Sequence, residues 1–310
     1  MLVSDIMIKT VENVGKEPMK KNSENIIRDK FPELLDLLLI DRTTSTLNKK
    51  KNIIWANNNY VKYNSNLYAE TAPILPELVT GDMINIIQPR ALKSKNLQKE
   101  RTKAKAEVFT PTWIIKKQNN TLDENYKNDS LETYIRRKWL EVTCGEGPYM
   151  ATRYDMVTGE PLLLKDRVGF VDRKLKRISS EVDNKDEWNR LVSEAYKASY
   201  GFEWNGDSLF LARENLLYTY RDYYIDKWFE EPSYDLLKNI AIIISYNVFQ
   251  MDGLKYIIPL TEKKEKINNL QISFFDDDVP DMQWIIKKGQ RVKIMNWEKN
   301  KMEFFDKGVK

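Results

Sequence analysis

The strongest indication of this chain's fold is the stretch Leu140-Glu141-Val142-Thr143-Cys144-Gly145-Glu146-Gly147-Pro148-Tyr149-Met150. An apolar beginning leads into two glycines that are separated by one acid. Because glycine has no Cβ and tolerates positive φ, such a turn lets the backbone pass close to a bound ligand. Glycine pairs also form ordinary turns after strands, so the stretch alone leaves both interpretations open.

A second stretch, Tyr200-Gly201-Phe202-Glu203-Trp204-Asn205-Gly206-Asp207, repeats the pattern of a strand followed by an acid. A run with helical spacing follows it, over residues 208–224. In doubly wound sheets, a nucleoside cofactor is held by a glycine turn after one strand and a ribose-binding acid after another. Glu203 is the favoured acid here. Asp172 competes for that role, because it ends the apolar run 167–172, which we predict to be a strand.

Composition limits the class of protein. Charged residues make up 31% of the chain and the mean hydropathy is -0.58, and no apolar run approaches the length of a membrane span. The single cysteine, Cys144, excludes an intramolecular disulfide, and no secretory signal is recognisable at the N-terminus. We therefore expect a cytoplasmic protein that does not contact a membrane.

The chain contains no histidine. This absence excludes Ser-His-Asp and Cys-His nucleophilic systems. With only one cysteine it also argues against a zinc site, and we predict no metal site. Chemistry must come from carboxylates, amides, tyrosines, lysines or a bound cofactor.

The net charge of +4 is small, but basic residues are concentrated between positions 90 and 105. Seven basic residues stand there against one acid, Glu100: Arg90, Lys93, Lys95, Lys99, Arg101, Lys103 and Lys105. Such a segment is suited to contact DNA phosphates, and it is equally typical of a solvated helix face or linker.

The pattern along the chain predicts an N-terminal region, 1–89, which is partly helical, and an α/β domain, 90–310. A helix is expected over residues 26–40. Another is expected over 111–118, with Thr110 as its N-cap and Pro111 at its first position. Strands alternate with helices over residues 107–260, which predicts a sheet whose ligands bind at the carboxyl ends of its strands.

Six pieces of the chain, taken in this order, resemble the adenine-N6 DNA methyltransferases of restriction-modification systems. The similarity is greatest to bacterial proteins called restriction endonuclease subunit M, and it covers roughly residues 70–297. The pieces are Ala106-Glu107-Val108-Phe109-Thr110-Pro111, the stretch 140–150, Arg153-Tyr154-Asp155, Asp172-Arg173-Lys174-Leu175, the stretch 200–215 and Gln250-Met251-Asp252-Gly253-Leu254.

The resemblance implies an α/β fold: a Rossmann-like S-adenosylmethionine-dependent methyltransferase sheet with a mostly helical N-terminal extension. It implies S-adenosylmethionine as the cofactor and DNA as the partner. By the same resemblance, Phe109, Thr110 and Pro111 would close over the methionine end of the cofactor.

The remaining implied roles belong to the three strand ends. Thr143, Gly145, Glu146 and Gly147 would form the glycine turn beneath the cofactor, and Tyr149 would stack on it. Glu203 would accept hydrogen bonds from both ribose hydroxyls. Asp252 would bind the adenine amino group.

Each of these residues also has an ordinary structural interpretation. Glu203 would then be a helix-capping or surface acid, and Asp252 a turn former before Gly253. Thr110 would only begin a helix, and Tyr149 would be part of the core.

One part of the family pattern is absent. Adenine methyltransferases carry a catalytic tetrapeptide of the type Asn-Pro-Pro-Tyr or Asp-Pro-Pro-Tyr, whose ring stacks on the flipped base. No Asn-Pro or Asp-Pro dipeptide occurs in this chain, so no catalytic residue is assigned. The long spacing between Gly147 and Glu203 also implies an insertion near residues 151–190.

Three hypotheses remain for the methyltransferase resemblance. The favoured one is a cofactor-binding subunit whose partner supplies the catalytic loop or target recognition. The others are an active enzyme with a divergent acceptor site and a non-catalytic binding or structural subunit. A metal-dependent nuclease is the least favoured alternative. It rests on Glu262-Lys263-Lys264, which has the acid-x-Lys spacing of such enzymes.

Overall fold

A computed structural model of the protein describes residues 26–94, 110–266 and 284–308. Short 3₁₀ helices lie at Pro76–Leu78, Gly81–Met83, Arg90–Leu92 and Leu164–Asp166. In chain order the α-helices and β-strands are α1 (Ile26–Lys30), α2 (Pro32–Leu39), α3 (Thr112–Asp123), α4 (Leu131–Arg136), β1 (Trp139–Glu141), α5 (Phe170–Glu181), α6 (Lys185–Lys197), β2 (Ser199–Glu203), α7 (Gly206–Trp228), α8 (Tyr234–Asn247), β3 (Val248–Gln250), β4 (Lys263–Lys266), β5 (Trp284–Lys287), β6 (Lys293–Asn296), β7 (Lys301–Phe304) and α9 (Phe305–Gly308).

The central sheet has three parallel strands in the order β1-β2-β3. Leu140 lies opposite Tyr200, and Glu203 lies opposite Gln250. The antiparallel pairs β4-β5 and β6-β7 form separate ribbons. The prediction of a mixed α/β protein with a parallel sheet is therefore confirmed, and the carboxyl ends of all three strands meet at one edge.

Side chains of the central strands alternate between two apolar clusters. Val248 belongs to the main core, which includes buried side chains of α5, α6, α7 and α8. Phe202 and Phe249 point into a smaller cluster with residues of the C-terminal ribbon region. The main core also contains Leu34, Trp55 and other N-terminal residues. It therefore crosses position 89, where the sequence predicts a domain boundary.

The strand predicted over residues 167–172 is wrong. Gly169 is the N-cap of α5, and Asp172 lies within the first turn of this helix. The Asp172 carboxylate accepts hydrogen bonds from the N–H groups of Gly169 (3.1 Å) and Thr152 (2.8 Å). It thereby satisfies backbone donors that a helix start leaves unpaired. Because Asp172 is buried in this role, away from any strand end, it does not compete with Glu203.

The start of α3 also differs from the prediction. Pro111 occupies the N-cap position and the helix begins at Thr112, so Thr110 is not the N-cap. A tertiary contact replaces a local cap: the Thr112 hydroxyl donates to Asp155 Oδ2 at 2.6 Å. Burial disfavours the charge on Asp155, but hydrogen bonds from Thr112, Thr158 and Val157 outweigh it and lower the pKa to about 2.

The N-terminal region is less helical than predicted. The single helix expected over residues 26–40 is two helices, α1 and α2, interrupted at Phe31 because Pro32 has no N–H to continue the hydrogen-bond ladder. Over residues 40–94 the chain forms turns, isolated bridges and three 3₁₀ helices. The prediction of a mostly helical extension is therefore wrong for the described part, 26–94.

The predicted insertion, residues 151–190, contains an irregular loop followed by α5 and the start of α6. A bridge between Tyr154 and Pro161 closes the loop. Arg153 and Arg167 both pair with Asp222 of α7, at 3.2 and 2.7 Å, which fastens the loop to the helix layer.

Candidate functional site

The glycine turn, defined here as residues 143–147, is bound to the end of β2. The Cys144 N–H donates to the Phe202 carbonyl at 2.8 Å, which extends the β1-β2 ladder by one bond. The Gly145 N–H donates to Glu203 Oε2, also at 2.8 Å. The two features that the sequence singles out are therefore in direct contact at the carboxyl edge of the sheet.

The backbone of the glycine turn is left-handed at three positions: Thr143 (φ 48°), Gly145 (φ 54°) and Gly147 (φ 75°). A Cβ at Gly145 would meet nothing within 4 Å, so this position borders open space. Glycine suits it because of the positive φ and not because of close packing. A Cβ at Gly147 would lie 3.3 Å from Ala212 Cβ of α7. The turn is thus packed on one side and open on the other, as a ligand-binding turn requires.

Glu203 is almost fully buried and its carboxylate is already engaged. Oε1 accepts from the Asn205 N–H (3.0 Å) and from the Asn205 side-chain amide (3.2 Å), and Oε2 accepts from Gly145. Burial raises its pKa, while these hydrogen bonds oppose the rise. A carboxylate has about four acceptor positions, and the Trp204 backbone adds a further hydrogen bond to these three.

Sequence reasoning missed Glu141, which lies at the end of β1. Its buried carboxylate accepts hydrogen bonds from the N–H groups of Tyr149 (3.1 Å) and Met150 (2.8 Å). Burial raises the pKa of Glu141 to about 8, and the nearby charge of Glu203 adds to the rise. The signal that was available is an acid at an inward-facing strand position directly before a glycine turn.

Cys144 lies buried between these two acids. Burial raises the pKa of its thiol, and the charges of Glu141 and Glu203 raise it further. The thiol is therefore protonated and unsuited to act as a nucleophile at neutral pH.

Glu146 is buried and directed into the protein. Its Oε1 accepts from the Arg90 N–H at 2.8 Å, and its Oε2 accepts from the Tyr154 hydroxyl at 2.6 Å. The Glu146 carbonyl accepts from the Asn215 side chain at 3.0 Å. Glu146 therefore links the glycine turn to α7, through Asn215, and to the backbone at Arg90.

Thr110 and Tyr149 lie together beside the turn. The Tyr149 hydroxyl donates to the Gln118 side chain of α3. Burial raises the Tyr149 pKa, and a hydrogen bond with Thr110 lowers it in part. Pro111 follows directly as the N-cap of α3. Phe109 lies outside the described residues.

Asp252 follows β3 in a local turn. Its Oδ1 accepts from the N–H groups of Leu254 (2.9 Å) and Lys255 (3.1 Å), which is the behaviour expected of a turn-forming aspartate. The residue before it, Met251, donates its N–H to the Glu203 carbonyl at 3.0 Å. Asp252 and Glu203 therefore stand at the ends of adjacent strands.

An N-terminal segment, residues 53–60, lies across the ends of β2 and β3. Ile54 makes two hydrogen bonds with the Gln250 side chain, at 2.9 and 2.8 Å. The Trp204 indole donates to the Ala56 carbonyl at 2.9 Å. Nothing in the local sequence of this segment indicates such a position, since every partner is far away along the chain.

The same segment covers the start of α7. The Gly206 N–H donates to the Trp55 carbonyl at 3.0 Å, and a Cβ on Gly206 would stand 2.0 Å from the Ile54 carbonyl oxygen. Asp207, in the first turn of the helix, accepts from the Asn57 amide (2.9 Å) and the Tyr60 hydroxyl (2.8 Å). The positive end of this helix is therefore satisfied by the protein itself.

No protein-family model, curated protein or solved structure matches the chain. None of the helices in the described ranges is both long and apolar enough to cross a lipid bilayer. Within those same ranges, no three side chains of the metal-binding types come together.

Proposed function

We propose that this chain is an S-adenosylmethionine-binding subunit, similar to a DNA adenine-N6 methyltransferase, that acts together with a partner. One observation carries the proposal: the Gly145 N–H donates to Glu203 Oε2 at 2.8 Å. This bond joins a glycine turn after β1 to an acid after β2, the arrangement by which doubly wound sheets hold a nucleoside. Asp252, after β3, would bind the base.

The residues present fit such a cofactor. Gly145 borders open space, and the Glu203 carboxylate bonded to it would accept a ribose hydroxyl by exchanging one of its internal hydrogen bonds. Asp252 offers a partly exposed carboxylate for an amino group, and Thr110 and Tyr149 stand on the other side of the turn. When bound, S-adenosylmethionine would supply an electrophilic methyl group. The chain itself would bind and orient it.

The order of the strands supports a role for a partner. Doubly wound sheets commonly have the order 3-2-1-4-5-6, and their ligands bind where the order reverses, beside strand 1. The order β1-β2-β3 corresponds to the first half of such a sheet. Among the described residues β1 pairs only with β2, and the Leu140 side chain is 40% exposed. A strand from a partner would fit at this edge, together with the missing catalytic loop.

Isothermal titration with S-adenosylmethionine tests the proposal. We expect the wild-type chain to bind and Glu203→Ala to lose at least tenfold in affinity, because a buried hydrogen bond to a charged group contributes about 1.5–3 kcal/mol. Glu77→Ala, an exposed acid in a 3₁₀ helix, is the matched control and should bind like the wild type. A wild-type chain that does not bind contradicts the proposal.

A second candidate function is a non-catalytic subunit that uses the same fold for interaction only. It is favoured by the internal hydrogen bonds that already occupy Glu203 and Asp252. Both candidates predict that the purified chain alone methylates DNA poorly or not at all. Cofactor binding separates them.

The nuclease alternative gains no support from the geometry. Glu262, the acid of the acid-x-Lys triplet, forms an ion pair with Lys255 at 2.7 Å. Lys263 and Lys264 belong to the exposed ribbon strand β4. We expect no magnesium-dependent cutting of DNA by the purified chain, and a nicking assay on supercoiled plasmid checks this.

A further inference from the structure

One face of α3 exposes an aromatic ring and two positive charges. Trp113, Lys116 and Lys117 are spaced so that they share one side of the helix. The Trp113 side chain is 66% exposed and both lysines are exposed. The opposite side, with Ile115 and Asn119, is buried. We refer to Trp113, Lys116 and Lys117 as the α3 face.

The charges of the α3 face are not neutralised by the part of the chain that the structure describes. Neither lysine forms an ion pair there, whereas nearby acids are engaged elsewhere. Asp123 pairs with Arg173 at 2.9 Å, and Glu124 pairs with Lys127. By sequence, the fifteen residues that precede Thr110 contain five basic and two acidic side chains. The two lysines of the α3 face therefore favour an anionic partner, and the sequence before the helix is also net basic.

The side of α3 opposite the α3 face packs beside Tyr149, which follows the glycine turn. The Asn119 amide on the buried side of the helix donates to the carbonyls of Tyr149 (3.2 Å) and Val168 (2.9 Å). Gln118 accepts from the Tyr149 hydroxyl. The α3 face therefore lies on the outer side of a helix whose inner side is anchored to Tyr149 and Val168.

We propose that the α3 face binds single-stranded DNA, with an unpaired base stacked on Trp113 and phosphates on Lys116 and Lys117. Aromatic rings interleaved with basic groups are how proteins hold unpaired strands without reading their sequence. The inference rests on the proposed function in taking DNA as the partner. It adds a surface for an unpaired strand.

Fluorescence anisotropy with a labelled twenty-nucleotide oligothymidine tests this surface. We expect Trp113→Ala to weaken binding about tenfold, the range seen for loss of one stacked base. The double variant Lys116→Gln/Lys117→Gln should reduce the slope of log affinity against log salt by about 1.4, because each phosphate contact on a single strand contributes about 0.7. Lys49→Gln/Lys50→Gln removes the same charge from another exposed turn and should leave the slope unchanged.

Each other result overturns the inference. Unchanged affinity in Trp113→Ala together with an unchanged slope in the α3 double variant means that DNA binds elsewhere. An equal effect of the Lys49/Lys50 control means that only total charge matters, and competition by polyglutamate at equal charge means that the face accepts any polyanion. Titration of wild type with S-adenosylmethionine separates the two proposals, since its failure contradicts the cofactor site and leaves the DNA result intact.

Discussion

The glycine turn after β1 and the Asp252 turn after β3 stand at the same edge of the sheet but are held in opposite ways. At the glycine turn, backbone N–H groups donate to two buried carboxylates, Glu141 and Glu203, and Glu146 within the turn accepts from the Arg90 N–H. The bonds of Asp252 are short-range: its side chain accepts from residues two and three ahead, its backbone pairs with Tyr256 and Ile257, and Leu254 at the tip is 93% exposed.

The two turns therefore differ in how rigidly the protein holds them. A backbone segment that is bonded to buried, distant acceptors unfolds only when a large part of the protein unfolds. A local turn at the surface unfolds at a small cost in free energy. The Glu203 end of the proposed site is therefore preorganised. The Asp252 end would be free to adjust if a ligand bound there.

The largest effect should come from Glu141→Ala. The change leaves the N–H groups of Tyr149 and Met150 buried without their acceptor. Each unsatisfied buried donor costs about 1–3 kcal/mol, so we expect a loss of about 3 kcal/mol in the free energy of unfolding by urea titration. Glu77→Ala should change it by less than about 0.5 kcal/mol. A loss below 1 kcal/mol for Glu141→Ala would mean that the glycine turn is not held from β1.

The free energy of unfolding should depend on pH through the ionisation of Glu141. Its folded pKa of about 8 exceeds the ordinary value of 4.5, so the folded state binds the proton more tightly. The resulting stability is complete below pH 4.5 and is lost as pH rises through 8. Between pH 5 and 7 the wild type should therefore lose about 2 kcal/mol more than Glu141→Gln, which cannot ionise. Parallel curves for the two proteins would contradict this assignment.

A direct comparison of Glu203→Ala with Asp252→Ala sharpens the contrast between the two turns. The buried Glu203 carboxylate accepts from the N–H groups of Gly145 and Asn205. Its loss should lower the free energy of unfolding by about 2 kcal/mol. Asp252 is partly exposed, and its loss should cost about 0.5 kcal/mol. Equal losses in urea titrations would show that both turns are held alike.

A smaller effect than that of Glu203→Ala is expected for Gly145→Ala. The added Cβ meets no atom within 4 Å, so only the left-handed backbone at φ 54° opposes it. We expect about 1 kcal/mol of destabilisation, the usual cost of that conformation for an ordinary residue. A loss above 3 kcal/mol in thermal unfolding would indicate that the open space beside the turn is filled in solution.

Much of the sheet could be predicted because its signals are local. Gly145 and Gly147 mark a left-handed turn, and the apolar runs that end near Glu141, Glu203 and Gln250 mark the strands. Local signals also explain the failure at residues 167–172. Phe170 and Val171 suit a strand as well as a helix. The buried role of Asp172 at the start of α5 depends on its hydrogen bond with Thr152, which lies 20 residues earlier in the chain.

The parts that could not be predicted depend on distant partners. Thr143 is β-branched and gives no warning of its positive φ, which the ladder bond of Cys144 to Phe202 imposes. Glu146 looked like a residue facing a cofactor, but Arg90 and Tyr154 draw its carboxylate inward. The N-terminal segment 53–60 offers no pattern that points to the carboxyl edge of the sheet.

The contact between Ile54 and Gln250 joins positions 196 residues apart, and this has a consequence for how the chain is made. A ribosome adds about 5–20 residues per second, so about 10–40 seconds separate the synthesis of the two ends of this contact. During that interval the segment around Ile54 has no β3 to bind. Contacts of such span also slow refolding of the complete chain, because loop closure precedes their formation. The newborn protein therefore passes through a stage in which the segment around Ile54 lacks its partner at the carboxyl edge of the sheet and is accessible to chaperones.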